Sequence, residues 1–161
     1  NMELQASFNS FIDWQAGLTL QRSRYNDAQQ WSDDPTVPAE TKMFRTPNVY
    51  GYLTTDITPV KRLSISLTGD YTGSMLVQHK AGSGVAKDVA VTTPRFFDAN
   101  IKVAYDIPLC SNALTMRVSG GVLNAFNSYQ KDFDKGADRD SNYIYGPMMP
   151  RSYYAAVKFL F

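Results

Sequence analysis

The sequence has little that marks a particular chemistry. Its 161 residues include one cysteine and one histidine, so an internal disulfide is excluded and a zinc-ligand pattern is missing. No run of 18 apolar residues occurs, which excludes a transmembrane helix. It does not exclude a transmembrane β-barrel, whose strands are about 10 residues long and half polar. The net charge of +1 gives no indication of a nucleic-acid partner.

A leader of the secretory kind is also missing from the start of the sequence. The chain opens at Asn1 and runs directly into MELQASF, which has the pattern of a strand. We therefore expect the chain to be part of a longer protein.

Alternation of polar and apolar residues is the main pattern that the sequence does contain. A period of two predicts β-strands, because successive side chains of a strand point to opposite faces. The connections between the alternating runs are short and long in turn, three of each. The predicted strands are Met2–Phe8, Trp14–Tyr25, Val49–Ile57, Leu63–Val77, Phe96–Ile107, Leu114–Leu123 and 152–161.

This interleaving of connections predicts an all-β fold, an antiparallel meander of about seven strands. Its tight turns would all lie at one end and its long loops at the other, as in outer-membrane barrels. A soluble sandwich also alternates, but its apolar face packs on a second sheet and its loop lengths are mixed at both ends. The pattern favours the barrel, in which Ile101 and Val103 would face lipid and Lys102 the lumen.

Two motifs near the C-terminus carry a resemblance to a known family. The last strand places Tyr153, Phe159 and Phe161 on one face, which is similar to the assembly signal of outer-membrane proteins. VLNAFNSYQ (122–130) and PRSYY (150–154) resemble the motifs at the last two strands of TonB-dependent receptors, although Ala125 replaces a commoner leucine. The matching positions are Asn124, Phe126, Asn127, Tyr129 and Arg151.

The chain thus resembles the C-terminal part of a TonB-dependent outer-membrane transporter of the Bacteroidetes type. The resemblance implies a transmembrane barrel of about 22 strands with an N-terminal plug, of which residues 1–161 would supply the last strands without the plug. It implies uptake of a scarce large nutrient, such as a ferric siderophore, haem or cobalamin, without cofactors or covalent chemistry. The implied partners are membrane lipid, the rest of the barrel and plug, TonB, the barrel-assembly machinery and a small-molecule or metal-chelate ligand.

Two other classes of protein stay open at this point. One is a free-standing small outer-membrane barrel with an adhesion or structural role, and the other is a soluble β-sandwich binding module. An enzyme is disfavoured, because His79 lies beside Lys80 without a nucleophile motif and is interpreted as a surface histidine. Cys110 is interpreted as an inert thiol.

Aromatic residues in the long loops are the candidates for binding a ligand. Trp31, Tyr143 and Tyr145, with Met148 and Met149 nearby, are expected to lie at the outer end of the barrel. Amphipathic rings stack on macrocycles while a polar tip stays in water, so they would suit a ligand entrance. An aromatic girdle or simple loop packing would explain the same residues.

An aspartate-rich loop is a weaker candidate, for a metal site. Its carboxylates bracket Gly136 at spacings similar to those of a calcium loop, but the expected glutamate at the twelfth position is missing. Lys131, Lys135 and Arg139 lie among them, which favours a solvated, self-paired loop. The four carboxylates are Asp132, Asp134, Asp138 and Asp140.

Overall fold

A computed structural model describes residues 1–9, 11–82, 84–109 and 113–161, and Cys110 therefore lies outside the described residues. All the regular elements in these ranges are β-strands, and among them there is no helix long and apolar enough to cross a membrane. The strands are β1 (Met2–Phe8), β2 (Ile12–Leu20), β3 (Arg24–Gln29), β4 (Glu40–Lys42), β5 (Val49–Val60), β6 (Leu63–Thr72), β7 (Leu76–His79), β8 (Val89–Thr92), β9 (Phe96–Leu109), β10 (Leu114–Leu123) and β11 (Ser152–Leu160).

Seven of these strands form one antiparallel sheet. Its order is β1-β2-β5-β6-β9-β10-β11. The seven strands therefore follow one another in the sheet in the same order as along the chain. The remaining four form two-stranded ribbons, β3-β4 and β7-β8. The predicted all-β class and the seven-stranded antiparallel meander are thereby confirmed.

The two ribbons correct the expected course of the long connections. The long connection between β2 and β5 contains Pro35 and Pro38, and β3 and β4 flank these prolines and pair with each other. Both prolines lie in the loop that connects β3 to β4. Their missing backbone N–H groups therefore remove no hydrogen bond between the two strands. Similarly, β7 and β8 form a ribbon in the second long connection.

Two predicted strands are shorter than the alternation suggested. The prediction extended one strand from Trp14 to Tyr25, but β2 ends at Leu20. A longer β2 would continue the apolar face of the sheet with Arg22 and Arg24, and charged side chains do not suit that face. The predicted strand Leu63–Val77 likewise ends at Thr72 and resumes as β7.

The register gives the sheet one apolar and one polar face. A row of cross-strand neighbours on the apolar face crosses all seven strands, and the row one residue away belongs to the polar face. The apolar row is Phe8, Ile12, Ile57, Ile65, Val103, Gly120 and Ala155. The polar row is Ser7, Asp13, Asp56, Ser66, Lys102, Gly121 and Tyr154.

Hydrogen bonds link side chains across the polar face. Tyr52 donates its hydroxyl to Glu3 Oε1 at 3.0 Å, and Asn100 donates its amide to Thr68 Oγ1 at 3.1 Å. The face is therefore cross-linked by polar groups that do not require a second layer.

Five aromatic residues of the apolar face lie towards the ends of the strands. Tyr71, Phe97 and Tyr153 lie near the long loops, and Phe8 and Phe159 lie near the tight turns. Leu53, Leu67, Ile101, Val103 and Val118 lie between them. Trp14, in register with Leu67 and Ile101, and Tyr105, in register with Val118, lie there as well. The middle of the face is therefore mainly aliphatic, and we call it the aliphatic band.

The sheet itself encloses almost no hydrophobic core. The buried apolar side chains among the described residues are few, and most of them lie at the long-loop end. They are Val37, Val77, Phe96, Ala104 and Tyr143, of which only Phe96 and Ala104 belong to the large sheet. The packed part of the molecule is therefore the assembly of long loops.

Candidate functional site at the long-loop end

The three long connections meet at one end of the sheet and are joined to one another. We call residues 21–48, 73–95 and 124–151 together the loop cap. Ser32 donates its hydroxyl to Asp88 at 2.8 Å, which joins the first connection to the second. The Lys80 amide N–H donates to Asp140 at 2.8 Å, which joins the second to the third. The Arg45 guanidinium donates to the Ile144 carbonyl oxygen at 2.9 Å, which joins the first connection to the third.

His79 lies at the centre of this cap and is buried, with 6% of its surface exposed. Its Nε2 lies 2.9 and 3.0 Å from the two carboxylate oxygens of Asp134, and its ring stacks on Tyr143 with centroids 3.7 Å apart. The interpretation of His79 as a surface histidine was therefore wrong. The hydrogen bond from His79 holds the pKa of the Asp134 carboxyl below its ordinary value.

Asp132 joins the two tyrosines of the third connection. It accepts the Tyr145 hydroxyl at 2.6 Å and the Tyr143 hydroxyl at 3.0 Å. Partial desolvation opposes ionisation of Asp132, but hydrogen bonds from Tyr145, Tyr143, the backbone and Gln130 together outweigh it and lower the pKa of the carboxyl. Burial and the neighbouring carboxylate raise the pKa of Tyr143 to about 12 and raise that of Tyr145 as well. Both hydroxyls therefore stay protonated donors at neutral pH.

The three predicted ligand-binding aromatics all belong to the loop cap, in different surroundings. Tyr143 is only 4% exposed, because His79 covers its ring. Tyr145 is half-buried, with its ring 5.3 Å from that of Tyr143. Trp31 is half-buried against Phe44 at a centroid distance of 5.2 Å. Contact of these residues with a ligand stays a prediction. Trp31 and Tyr145 retain accessible surface for such a contact.

The aspartate-rich loop takes its partners from elsewhere in the cap. Asp134 accepts from His79 and from the Asp140 amide, and Asp140 accepts from the Asn142 amide as well as from Lys80. Within the described ranges, three or more metal-ligating side chains do not converge at any point. The weak metal candidates Asp132, Asp134, Asp138 and Asp140 consequently form no cluster in which they could bind one ion together.

The two asparagines of the motif VLNAFNSYQ (122–130) shape the junction between β10 and the last connection. Asn124 and Asn127 have positive φ angles of 50° and 55°, a region that asparagine tolerates better than most residues. The Asn124 side chain donates to the Ser128 and Met149 carbonyl oxygens, and Asn127 Oδ1 accepts the Arg151 amide at 3.0 Å. The motif thus ties the start of the third connection to its end.

The aromatic members of the motif lie outside this junction. Phe126 is 65% exposed and lies 5.5 Å from the Phe97 ring, at the end of the apolar face. Tyr129 packs under the Lys131 ammonium. The residues predicted as an assembly signal are exposed along β11 and at its end, with Tyr153 at 72%, Phe159 at 51% and Phe161 at 102%. Their role in assembly stays a prediction.

Two organising side chains were missed by the sequence interpretation. Gln130 is 1% exposed, donates to the Tyr143 carbonyl oxygen and accepts the Tyr145 amide. Asp88 accepts from Ser32, Lys80 and the Ala81 amide, at 2.8 to 2.9 Å. Gln130 is the last residue of VLNAFNSYQ (122–130), which was an available signal, whereas nothing local marks Asp88.

Comparisons of the chain with models of protein families, with curated proteins and with solved structures find no match. A functional assignment therefore depends on the geometry of the sheet and of the loop cap.

Asp88 should make the order of the loop cap depend on acidity. Hydrogen bonds from the Ala81 amide, Lys80 and Ser32 lower the pKa of its carboxyl from an ordinary value near 3.8 to about 2. Because the folded pKa is the lower one, the stabilisation is complete above about pH 4 and is lost as the pH falls towards 2. Trp31 fluorescence, in a Trp14→Phe background, should therefore change over this window as the neighbouring connections separate.

The variant Asp88→Asn should shift Trp31 emission at neutral pH and remove most of the acid transition. Asp27→Asn is a matched control, since Asp27 is exposed on β3. An unchanged acid transition in Asp88→Asn would show that this carboxylate does not hold the first two connections together.

Proposed function

We propose that the chain forms part of the wall and the extracellular loops of an outer-membrane β-barrel that takes up a scarce large nutrient with energy from TonB. The observation that carries the proposal is the apolar face that extends over all seven strands of the sheet. Ile101, Val103 and Val118 lie in the middle of that face and are 40%, 42% and 40% exposed. A β-sandwich made by this chain would bury such residues under a second sheet.

Exposure of this face to water would be costly. Burial of one valine, leucine or isoleucine side chain is worth about 1.5 to 3 kcal/mol, and the face presents many of them in a contiguous surface. The hydrocarbon of a bilayer removes this cost. Aromatic residues towards both ends of the aliphatic band support a lipid setting, because girdles of aromatic residues mark the two membrane interfaces of barrels.

The polar face suits the wall of a wet lumen. Thr54, Thr68 and Asn100 lie in one row, and the Arg117 guanidinium binds Asp106 through two bonds of 2.6 and 2.7 Å. Charged and amide groups are tolerated in a wide barrel because water reaches them. This face would line the lumen and contact the plug.

Further strands of the same barrel would cover the edges of the sheet. In the described part of the chain, β1 and β11 each have one neighbour, so one side of each backbone is unpaired. Unpaired edges cannot be left in lipid, since every backbone polar group there needs a partner. We therefore place the remainder of the barrel at these two edges, as the resemblance to TonB-dependent transporters implies.

Uptake in this proposal proceeds without covalent chemistry by the chain. The loop cap and the plug would capture the ligand, a siderophore, haem or cobalamin, and TonB would displace the plug by force. The cap suits this role because its three connections are cross-linked while Trp31 and Tyr145 keep accessible ring surface. The proposed location of the protein is the outer membrane.

Two neighbouring residues of β9 provide a test of the membrane placement. Val103→Arg would put a charge on the lipid side near mid-strand and should destabilise the protein by about 2 to 4 kcal/mol. Lys102→Arg keeps a charge on the polar face and should be nearly neutral. The free energy of unfolding is measured for both variants in lipid vesicles. Equal effects would contradict lipid contact at this face.

A second test addresses ligand capture by the loop cap. Replacing both Trp31 and Tyr145 by Ala should weaken ligand binding about ten- to a hundredfold, since ring contacts contribute about 0.5 to 1.5 kcal/mol each beyond the area they bury. Tyr25→Ala, an exposed ring on β3, is the control. Binding is measured directly with ferric siderophore, haem and cobalamin on purified protein, together with its surface level. Unchanged capture of every ligand would leave these loops a structural role only.

A further inference from the structure

A cleft of about 610 Å³ opens at the long-loop end, where β2, the β3-β4 ribbon and the segment between β6 and β7 meet. Leu20 and Val49 lie on its wall, and they are cross-strand partners at the end of the apolar face. Met75 lines it as well. The cleft therefore begins where the aliphatic band of the sheet ends.

Three cations line this cleft. Arg22, Arg24 and Lys42 are exposed there, and none of the described lining residues is a carboxylate. Within residues 1–9, 11–82, 84–109 and 113–161, none of the three forms a salt bridge. They differ in this from Lys80 and Arg117, which bind aspartates.

The fold also places two of these charges against each other. Arg24 and Lys42 are register partners in the β3-β4 ribbon, so their side chains leave the backbone at neighbouring positions. Like charges directly opposite on paired strands are destabilising. An anion between them would turn this repulsion into two charge-assisted contacts, and the planar Arg24 guanidinium suits phosphate oxygens in particular.

We infer that the cleft binds the phosphate of a phosphorylated lipid in the leaflet next to the loop cap. The cations would hold the phosphate, while the acyl chains continue along the apolar face from Leu20 and Val49. A lipid fits better than a free phosphate because the cleft combines unpaired cations with apolar side chains at the edge of the aliphatic band. The inference rests on the proposed membrane placement.

The test uses purified protein in neutral detergent micelles, offered dioleoyl phosphatidic acid or dioleoyl phosphatidylcholine. Lipid retained by the protein is measured by native mass spectrometry. We expect preferential retention of phosphatidic acid, and an about ten- to a hundredfold weaker retention in Arg24→Gln/Lys42→Gln, because two charged contacts are lost. Lys61→Gln/Arg62→Gln removes one lysine and one arginine at the β5-β6 turn, and it should retain phosphatidic acid normally.

Three results would overturn the inference. Equal retention of both lipids would exclude a preference for phosphatidic acid. An equal loss of phosphatidic acid retention in both double variants would show that general charge attraction holds the lipid. Competition by inorganic phosphate at the same concentration as the lipid would assign the cleft to a free anion. Flotation of the unmodified protein with phosphatidylcholine vesicles is measured in parallel. A protein that floats but shows no preference contradicts the lipid site alone, whereas one that does not float contradicts the proposed function.

Discussion

The structure depends on one constraint, which is that the strand register keeps the apolar residues of all seven strands on the same face of the sheet. A slip of one residue at any of the six strand pairs would turn every side chain of the following strands to the opposite face. The rows that contain Val103 and Lys102 run next to each other across the whole sheet without such a slip, and the register shift of the β5-β6 pair lies beyond them, between Ile57 and Val60. The separation into an apolar and a polar face follows directly from this shared register.

The loop cap depends on a different kind of interaction, polar contacts between segments that are far apart in the sequence. The pair His79 and Asp134 is largely removed from water, with side chains 8% and 5% exposed, and it joins the second connection to the third. Removing one partner would leave a buried polar group unsatisfied, which costs more than the hydrogen bond itself contributes. These contacts define the arrangement of Trp31, Tyr143 and Tyr145, and hence the surface that the cap presents.

Most of the sheet could be predicted from the sequence, because the period of two is a local signal. The bounds of β1 and β10 agree with the prediction, and β9 begins at the predicted Phe96. The prediction extended β2 too far, although the alternation stops at Leu20 and residues 21–24 are all polar. The burial of His79 was beyond a local pattern, because Asp134 lies 55 residues away along the chain.

Contact of the apolar face with lipid is the central claim, and a nitroxide scan of positions 99–107 in β9 tests it most directly. Each residue is replaced in turn by a labelled cysteine in the protein reconstituted into lipid vesicles. Collision rates are then measured with oxygen, which concentrates in lipid, and with a water-soluble nickel chelate. Oxygen access should peak at Ala99, Ile101, Val103 and Tyr105, and chelate access at Asn100 and Lys102. Oxygen access without alternation, or alternation in the opposite phase, would contradict the account.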